Sequence, residues 1–411
     1  MTDKIAGIDV HKRVLMVVVG TPGALAEQDF LIGRFGTTSS ELGRLAGWLQ
    51  QCGVREVVME STAQYWKPVW MSLEADFRLF LAQAWSNRAP RGKKADFKDA
   101  KRLVRRHCAG ELTLSFVPDA EQRQMRSLTR RREQLTRDRV RILNQVESLL
   151  EETRIKLSSV VSDLFGGSGM RILKALSEGI SDPVKLAALA DPRVQRTAAE
   201  LADALTGTLS PIHQRILKQH LAMLELIDQQ MQELLTEIGA SMSEHADAIK
   251  RLCAIPGIRV LAAQQILAEV GPGASEFDSP PQFTSWAGVC PGKNESAGEN
   301  HSSRCAKGNI YLRRVLCQVA QAAVRTKNSH WENIFRRMVP RLGYTKAIWA
   351  VARRIAVVIW KILHEGVEYI EQGALSTPGA LKRRVQRLKK ELRALGYSDD
   401  LKTLSCVAAM Q

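Results

Sequence analysis

The sequence lacks the patterns that mark three large classes of protein. Its seven cysteines are odd in number and form no CxxC pair, which argues against a disulfide framework and against a zinc ribbon. No apolar run approaches the roughly 20 residues that a membrane-spanning helix needs. The first residues show no signal-peptide pattern. We therefore expect a soluble, cytoplasmic protein with no membrane partner.

Acidic residues are also in short supply. The chain has 43 Asp and Glu against 59 Lys and Arg, which gives a formal net charge of +16. An excess of this size favours a polyanionic partner, and we expect the protein to associate with the nucleoid. Hydrophobic residues make up 45% of the 411 positions, a value that is typical of globular proteins. The length allows two or three domains.

Four acids in the first hundred residues occupy positions that folding alone explains poorly. Asp9 interrupts an apolar predicted strand, and Glu60 closes another. Asp96 and Asp99 lie three residues apart at the start of a predicted helix, so they should share one helical face. Oxygen ligands suit Mg²⁺ or Mn²⁺. The sequence therefore predicts a divalent metal site formed by these four carboxylates.

The order of the predicted elements around these acids indicates a fold. Strands are predicted twice within 4–20 and again over 28–35, followed by a helix at 39–52, a strand at 55–60, a helix around 64–75, a strand at 78–83 and a helix from Asp96. The order β-β-β-α-β-α-β-α is typical of the ribonuclease-H-like, or RuvC-like, α/β architecture. We expect such a domain over residues 1–118.

Long helices are predicted after residue 119. Apolar residues recur every seven positions along two segments, which is typical of a coiled coil. These residues are Leu128, Leu135, Ile142 and Leu149 in the first segment, and Leu217, Leu224, Met231 and Ile238 in the second. The two helices could pair within one chain as an antiparallel arm or between chains in a dimer. We favour a helical arm over 119–246, with residues 158–210 at its tip.

Arginines are concentrated in the first of these helices. Eight arginines lie within residues 123–141 beside only two acids. That ratio is too one-sided for ordinary charge pairing, although a solvated face is the alternative. We predict contact with nucleic acid through Arg123, Arg126, Arg130 and Arg131.

Two further segments could contact nucleic acid. The turn that contains Gly257 precedes an Ala-rich helix and suggests a helix-hairpin-helix, in which backbone N–H groups bind phosphate. A plain turn between two core helices is the alternative. We expect a mainly helical domain over 247–373 and a basic helical tail over 374–411, with Arg383 and Arg384 as candidate nucleic-acid contacts.

A loop in the carboxy-terminal half provides a candidate nucleophile. The Gly-flanked stretch 291–298 exposes Ser296, and Lys307, Arg313 and Arg314 follow within reach of a phosphate. A serine hydroxyl needs activation before it attacks phosphorus, and no His or Asp stands beside this one. A metal site elsewhere could supply that activation. Taken alone, a serine in a loop is most often a surface hydroxyl.

Six segments together resemble the DEDD transposases of bacterial insertion sequences. The segments are Gly7-Ile8-Asp9-Val10-His11-Lys12, Met59-Glu60-Ser61-Thr62, Lys94 to Ala100, Ile255-Pro256-Gly257-Ile258, Phe283 to Gly298, and Gly308 to Arg314. The resemblance is collinear over about residues 4–370. It implies a RuvC-like domain with an acidic tetrad and a second transposase domain with a serine nucleophile.

Carried over to this chain, the resemblance implies a role for each candidate. Asp9, Glu60, Asp96 and Asp99 would form the tetrad that binds Mg²⁺ or Mn²⁺. Ser296 would attack DNA and form a phosphoserine intermediate, while Ser302 and Ser303 remain alternatives. The enzyme would cut and rejoin DNA without hydrolysis.

The same resemblance implies partners and leaves alternatives. The partners would be double-stranded donor and target DNA, a noncoding bridge RNA from the element itself, and further copies of the chain in a dimer or tetramer. A Piv-type invertase would share both motifs but invert a DNA segment. A RuvC-like junction nuclease would use water in place of serine. An RNA-binding protein with a degenerate site is disfavoured because all four acids are present.

Overall fold

The computed structural model describes residues 4–23, 29–60, 63–87, 97–292, 294–296, 299–302, 304–305, 307–371, 373 and 385–391. The chain forms two compact units, Met1–Pro118 and Asp119–Gln411. The finer division at residues 246 and 373 stays a prediction. Among the described helices, none combines the length and apolar character needed to cross a membrane.

A six-stranded sheet forms the centre of the first unit. Its strands are β1 (Lys4–Val10), β2 (Leu15–Gly20), β3 (Leu31–Phe35), β4 (Val54–Glu60), β5 (Arg78–Ala82) and β6 (Leu114–Ser115). They lie in the order β3-β2-β1-β4-β5-β6. The first three strands are antiparallel, β1, β4 and β5 are parallel, and β6 is antiparallel to β5. The predicted order of strands and helices is confirmed, and it is consistent with a ribonuclease-H-like domain.

Helices cover both faces of this sheet. They are α1 (Ser39–Gln51), α2 (Trp66–Leu73) and α3 (Lys98–Cys108). Alternate residues of a strand point to opposite faces, so Ala6 and Ile8 pack in the core with α1 and α2. Ile5 packs on the other face in a cluster with Leu103 and Val104 of α3. Asp9 follows the same alternation and belongs to the α3 face of β1.

The start of α3 differs from the prediction. The helix begins at Lys98, because Phe97 adopts the left-handed conformation with φ 65°. Asp99 therefore lies in the first turn of α3, and the helical face predicted to be shared by Asp96 and Asp99 stays a prediction. Asp96 itself lies outside the described residues.

Two long helices, α4 (Ala120–Glu152) and α9 (Pro211–Ser241), pair within the second unit. The pair is antiparallel: His213 lies 3.7 Å from Glu152 at one end, and Arg139 binds Asp228 at 2.7 Å near the middle. Five of the eight apolar residues at the predicted heptad positions belong to one buried cluster, and Met231 packs against it; the five are Leu135, Ile142, Leu149, Leu217 and Leu224. Leu128 and Ile238 are not part of this cluster. Pairing within one chain accounts for both heptad segments, whereas a supercoil and a role in oligomer formation stay predictions.

Four short helices follow α4 and precede α9. They are α5 (Leu157–Val160), α6 (Gly167–Ser177), α7 (Pro183–Ala187) and α8 (Ala198–Ala204). Ile172 of α6, Leu186 of α7 and Leu201 of α8 join the core of the long pair. This segment corresponds to the predicted tip.

In the rest of the second unit, the described residues form helices and one small hairpin. Its elements are α10 (Ala246–Cys253), α11 (Val260–Val270), α12 (Pro280–Trp286), β7 (Asn294–Ser296), β8 (Glu299–Ser302), α13 (Ile310–Arg325) and α14 (His330–His364), which is kinked at Gly343. The serine segment, predicted as a loop, is therefore one side of a hairpin. Residues 385–391 form a further short helix with a largely exposed surface.

The turn between α10 and α11 packs against the protein interior. Gly257 has φ +91°, and a Cβ built there would lie 2.7 Å from both the Ala323 nitrogen and the Val319 oxygen. Glycine is thus needed for the close approach of this turn to α13. These contacts do not confirm a helix-hairpin-helix and favour the alternative, a turn between core helices.

Candidate functional site

The first candidate site lies where two parallel strands of the sheet end. In the register of β1 and β4, Ile8 is the partner of Met59. Asp9 and Glu60 follow these two residues directly, so their backbones are neighbours at the carboxyl ends of the strands. The sheet therefore brings together two carboxylates that are 51 positions apart in sequence.

A glycine on β1 brings the third carboxylate to this edge. A Cβ built on Gly7 would lie only 2.4 Å from the Ala100 carbonyl oxygen, so α3 approaches the backbone of β1 directly. Asp99 precedes Ala100 and comes close enough to Asp9 for their charges to interact. The pKa of Asp9 is raised, chiefly by burial and further by Asp99, while His11 lowers it. The His11 Nε2 lies 3.1 Å from the Asp9 Oδ2.

A hydrogen-bonded chain connects Glu60 with Asp99. The Asn87 amide donates to Glu60 Oε2 at 2.8 Å. The Arg102 Nε donates to the backbone and side-chain oxygens of Asn87 at 2.8 and 3.2 Å. The other end of the same guanidinium donates to Asp99 Oδ1 at 2.5 Å. Asn87 and Arg102 thereby fix two carboxylates in orientation.

The donor chemistry of this edge suits a hard cation. Asp9, Glu60 and Asp99 offer carboxylate oxygens, and the raised pKa of Asp9 means that burial outweighs the stabilisation that His11 and Arg102 give to its ionised form. Within the described residues, no three His, Cys, Asp or Glu side chains form a complete metal-binding group. The fourth predicted ligand, Asp96, lies outside those residues.

The second candidate site is the hairpin β7–β8. Ser296 ends β7, and its backbone pairs with Glu299; its side chain lies outside the described part of the chain, as do those of Ser302 and Ser303. At the base of the hairpin, the Gly292 N–H donates to the Arg304 oxygen at 3.2 Å.

The basic residues after the hairpin have different surroundings. Lys307 is exposed. The Arg313 guanidinium lies over the Trp349 ring, 4.6 Å from its centroid. Arg314 forms an ion pair with Glu133 of α4. Of the three predicted phosphate contacts, Lys307 has the most exposed side chain.

A buried carboxylate connects α4, α11 and α13. Glu269 is fully buried. It accepts two hydrogen bonds from Arg130 at 2.7 Å and one from the Asn309 amide at 2.6 Å. Arg126, itself buried, lies 3.5 Å from Glu269 and donates to the carbonyl oxygens of Ala268 and Glu269. Burial lowers the pKa of Arg126 to about 10, so the side chain remains charged at neutral pH.

This network includes two of the predicted nucleic-acid contacts. Arg126 and Arg130 both lie within ion-pair distance of Glu269, Arg126 with 11% and Arg130 with 33% of its side chain exposed. The phosphate contact predicted for these two arginines stays a prediction. Arg123 is half-buried and Arg131 is exposed. Arg383 and Arg384 lie outside the described residues.

Comparison with known proteins places the whole arrangement in a family. A family model for DEDD transposases of the IS110 type matches residues 6–155, which include the acidic edge. A second model, described as the transposase IS116/IS110/IS902 family, matches residues 249–336, which include the hairpin. The chain belongs to the IS110 family of DEDD transposases. Like other transposases, it cuts and rejoins DNA.

Several relatives of this transposase bear the same kind of name. A probable family 20 transposase of Pseudomonas aeruginosa is 27% identical over 315 residues, covering 75% of this chain and 83% of the relative. The transposase for insertion sequence element IS1111A of Coxiella burnetii is 24% identical, covering 75% and 77%. A putative transposase of Sinorhizobium fredii, y4rJ, is 28% identical, covering 71% and 72%.

Sequence reasoning missed three residues at the acidic edge of this transposase. Arg102 stands three positions after Asp99, a spacing that could have suggested their ion pair. His11 is two positions from Asp9, just after the end of β1, and a separation of two residues at a strand end does not by itself predict a side-chain contact. Asn87 has no sequence pattern at all, because its role depends on how the loop after β5 folds back toward Glu60.

Proposed function

We propose that this transposase joins DNA strands through a phosphoserine intermediate, with Ser296 as nucleophile and Asp9, Glu60, Asp96 and Asp99 as ligands of Mg²⁺ or Mn²⁺. The observation that carries the proposal is that Asp9, Glu60 and Asp99 lie at the same edge of the sheet, where Asp9 and Asp99 are close enough for their charges to interact and Asn87 and Arg102 link Glu60 to Asp99. Burial, together with the charge of Asp99, raises the pKa of Asp9, so keeping Asp9 ionised at this edge has a cost. A divalent cation offsets that cost.

Each described residue of this edge has a part in the proposal. Asp9 and Glu60 present oxygens from adjacent strand ends, and Asn87 keeps one Glu60 oxygen in a fixed direction. Arg102 binds one oxygen of Asp99 and leaves the second for the cation. The cation, when bound, would stabilise charge on the phosphoryl oxygens and on the attacking and leaving oxygens.

The serine step conserves the energy of the DNA backbone. The Ser296 oxygen forms a bond to phosphorus, the bond from phosphorus to the leaving deoxyribose oxygen breaks, and the serine proton passes to a carboxylate of the tetrad or to the leaving oxygen. The reverse step on a new strand end rejoins the DNA without ATP. Serine and tetrad belong to different compact units, and we propose that they meet in a dimer or tetramer.

Donor and target DNA, together with a bridge RNA, are the proposed nucleic-acid partners. The charge of +16 supports polyanion binding, and Arg131 and Lys307 are exposed cations in the second unit. Co-purification of an RNA transcribed from the flanking sequence tests the RNA part. A protein preparation that recombines DNA after complete RNA removal would contradict it.

The decisive experiment traps the intermediate. A suicide DNA substrate should leave a covalent protein–DNA adduct that survives denaturing electrophoresis and maps to the peptide containing Ser296. Ser296→Ala should lose both adduct and recombination, whereas the matched variant Ser302→Ala should keep them. An adduct on Ser302 or Ser303 would move the nucleophile along the hairpin. Cleavage without any adduct in the wild type would mean that water attacks, as in a junction nuclease.

The acidic tetrad has its own test. Replacing Asp9, Glu60, Asp96 or Asp99 singly with alanine should abolish Mg²⁺-dependent cleavage and leave DNA binding largely intact, because the change removes a metal ligand and no cation. Asp76→Ala, at an exposed acid of the same unit, is the matched control and should cleave at the wild-type rate. Four single variants with wild-type cleavage would refute the tetrad.

A further inference from the structure

A large aromatic ring is exposed beside the acidic edge. Trp85 stands in the loop that follows β5, and 66% of its surface is accessible to solvent. Tryptophan is seldom so exposed, because its ring has a large apolar area that favours burial. The exposure of this ring does not contribute to the stability of the fold and therefore suggests that the ring contacts a ligand.

The loop holds the ring firmly. The Gln83 N–H donates to the Thr113 oxygen at 2.9 Å, and the Ser86 N–H closes a turn on the Gln83 oxygen at 2.9 Å. Arg106 of α3 donates to the Ser86 oxygen at 2.5 Å. Contacts on both sides of Trp85 thus tie the loop to β6 and α3.

The polar edge of the Trp85 ring already has a hydrogen-bond partner, while most of the residue's surface is accessible to solvent. The Trp85 Nε1–H donates to Gln83 Oε1 at 2.7 Å. Among the described residues, none places an aromatic ring or a cation on the indole faces. A ring whose N–H is already hydrogen-bonded and whose residue is 66% exposed is suited to stacking rather than to further hydrogen bonding.

The position of the ring connects it with the chemistry. Ala82, where β5 ends, is the register partner of Glu60. Asn87 binds the Glu60 carboxylate at 2.8 Å, and it is two positions beyond Trp85. Two residues span at most about 7 Å, so the backbone of Trp85 lies within that distance of Asn87, the residue that binds the Glu60 carboxylate.

We propose that Trp85 stacks on an unpaired nucleobase of the DNA strand that is being cut, and so positions that strand at the acidic edge. The inference rests on the proposed function, since the tetrad marks where the phosphate lies. The base must be unpaired and unstacked, because neighbouring bases cover both faces of each base inside a duplex. Base–aromatic stacking tolerates any sequence and changes affinity about 5- to 150-fold per base.

Binding measurements on the full-length protein test the stacking. The variants are Trp85→Ala, Trp85→Phe and the matched control Met71→Ala, which removes a side chain of a residue that is 63% exposed in the same unit. The probes are a short single-stranded oligothymidylate, a mixed-sequence duplex and an oligouridylate. Trp85→Ala should weaken binding of the oligothymidylate about 5- to 150-fold. Trp85→Phe should recover most of that loss, and duplex binding should not change.

Three outcomes would overturn the proposal: equal affinities for Trp85→Ala and Met71→Ala, an equal loss on duplex and single strand, or a loss confined to the oligouridylate. Because the assay contains no Mg²⁺ and needs no cleavage, it does not depend on Ser296. A failed serine mechanism would appear as a missing adduct with Trp85 binding intact. A failed stacking proposal would leave the adduct in place.

Discussion

Glu269→Ala should strongly destabilise the second unit of the transposase, although Glu269 lies outside the acidic tetrad. The substitution removes the acceptor of two Arg130 hydrogen bonds and of the Asn309 amide bond. Arg130 then loses its carboxylate partner, and Arg126 loses the carboxylate 3.5 Å from its guanidinium while it keeps the carbonyl oxygens of Ala268 and residue 269. Two cations lose the Glu269 charge, Arg126 in a buried position and Arg130 in a half-buried one.

The size of the effect follows from that loss. Removing one partner of a buried ion pair costs about 3–5 kcal/mol, because the remaining charge cannot recover its hydration. A cooperative unit of 150–250 residues shifts its melting temperature by roughly 2–4 °C per kcal/mol. We therefore expect the unfolding midpoint to fall by on the order of 10 °C. Glu269→Gln keeps an acceptor oxygen and should fall by less.

Thermal unfolding followed by circular dichroism measures this difference, with Asp228→Ala as the matched control. Asp228 also binds an arginine at 2.7 Å, but its side chain is 50% exposed. A pair of this kind is worth about 0–1 kcal/mol because water and salt screen it. If Glu269→Ala melts within about 2 °C of Asp228→Ala, the buried charge network does not stabilise the fold as argued.

Three further perturbations have signs that follow from the structure. The folded-state pKa of Asp9 is raised, so ionising this carboxyl costs stability as the pH rises above the unfolded pKa of about 3.9. Asp9→Asn should therefore match the wild type in melting temperature below that pH and exceed it at pH 7. A difference in melting temperature that stays the same at every pH would contradict the burial argument. Gly257→Ala should cost about 1–3 kcal/mol in unfolding free energy, because φ is +91° and the new Cβ meets α13. Gly273→Ala, with open space around it, should cost far less, and equal costs would refute the packing role. Arg131→Gln should lower the salt dependence of DNA binding by about one phosphate equivalent, whereas a slope equal to that of the wild type would return this exposed arginine to the solvated face.

The sequence predicts the sheet well because its signals are local. Apolar runs end at charged or turn-forming residues, so the bounds of β1, β2 and β4 lie close to those expected. The neighbouring positions of Asp9 and Glu60 follow from parallel strands that end at one edge. To predict that Asp9 and Glu60 are neighbours, only the order of the strands in the sheet is needed, and the sequence of predicted strands and helices indicates that order.

Other parts of the site depend on conformations that composition does not encode. Phe97 takes a left-handed backbone conformation and delays the start of α3, although nothing in its residue type favours that. Counted along the sequence, the arginines of α4 greatly outnumber the nearby acids. In the fold, however, Arg130 binds Glu269, which is 139 positions away. Such distant partners become apparent only when the helices are packed.

The antiparallel pairing of α4 with α9 limits how the length of these helices can change. The 33 residues of α4 extend about 50 Å at 1.5 Å per residue. Because the helices are antiparallel, a residue further along α4 faces a residue correspondingly earlier in α9, as Arg139 faces Asp228. Deleting seven residues from each helix at facing positions would shorten the pair by about 10 Å and retain the apolar stripe. Removing seven from one helix alone would leave apolar side chains of the other without partners, so this part of the transposase can be lengthened or shortened only in matched seven-residue steps.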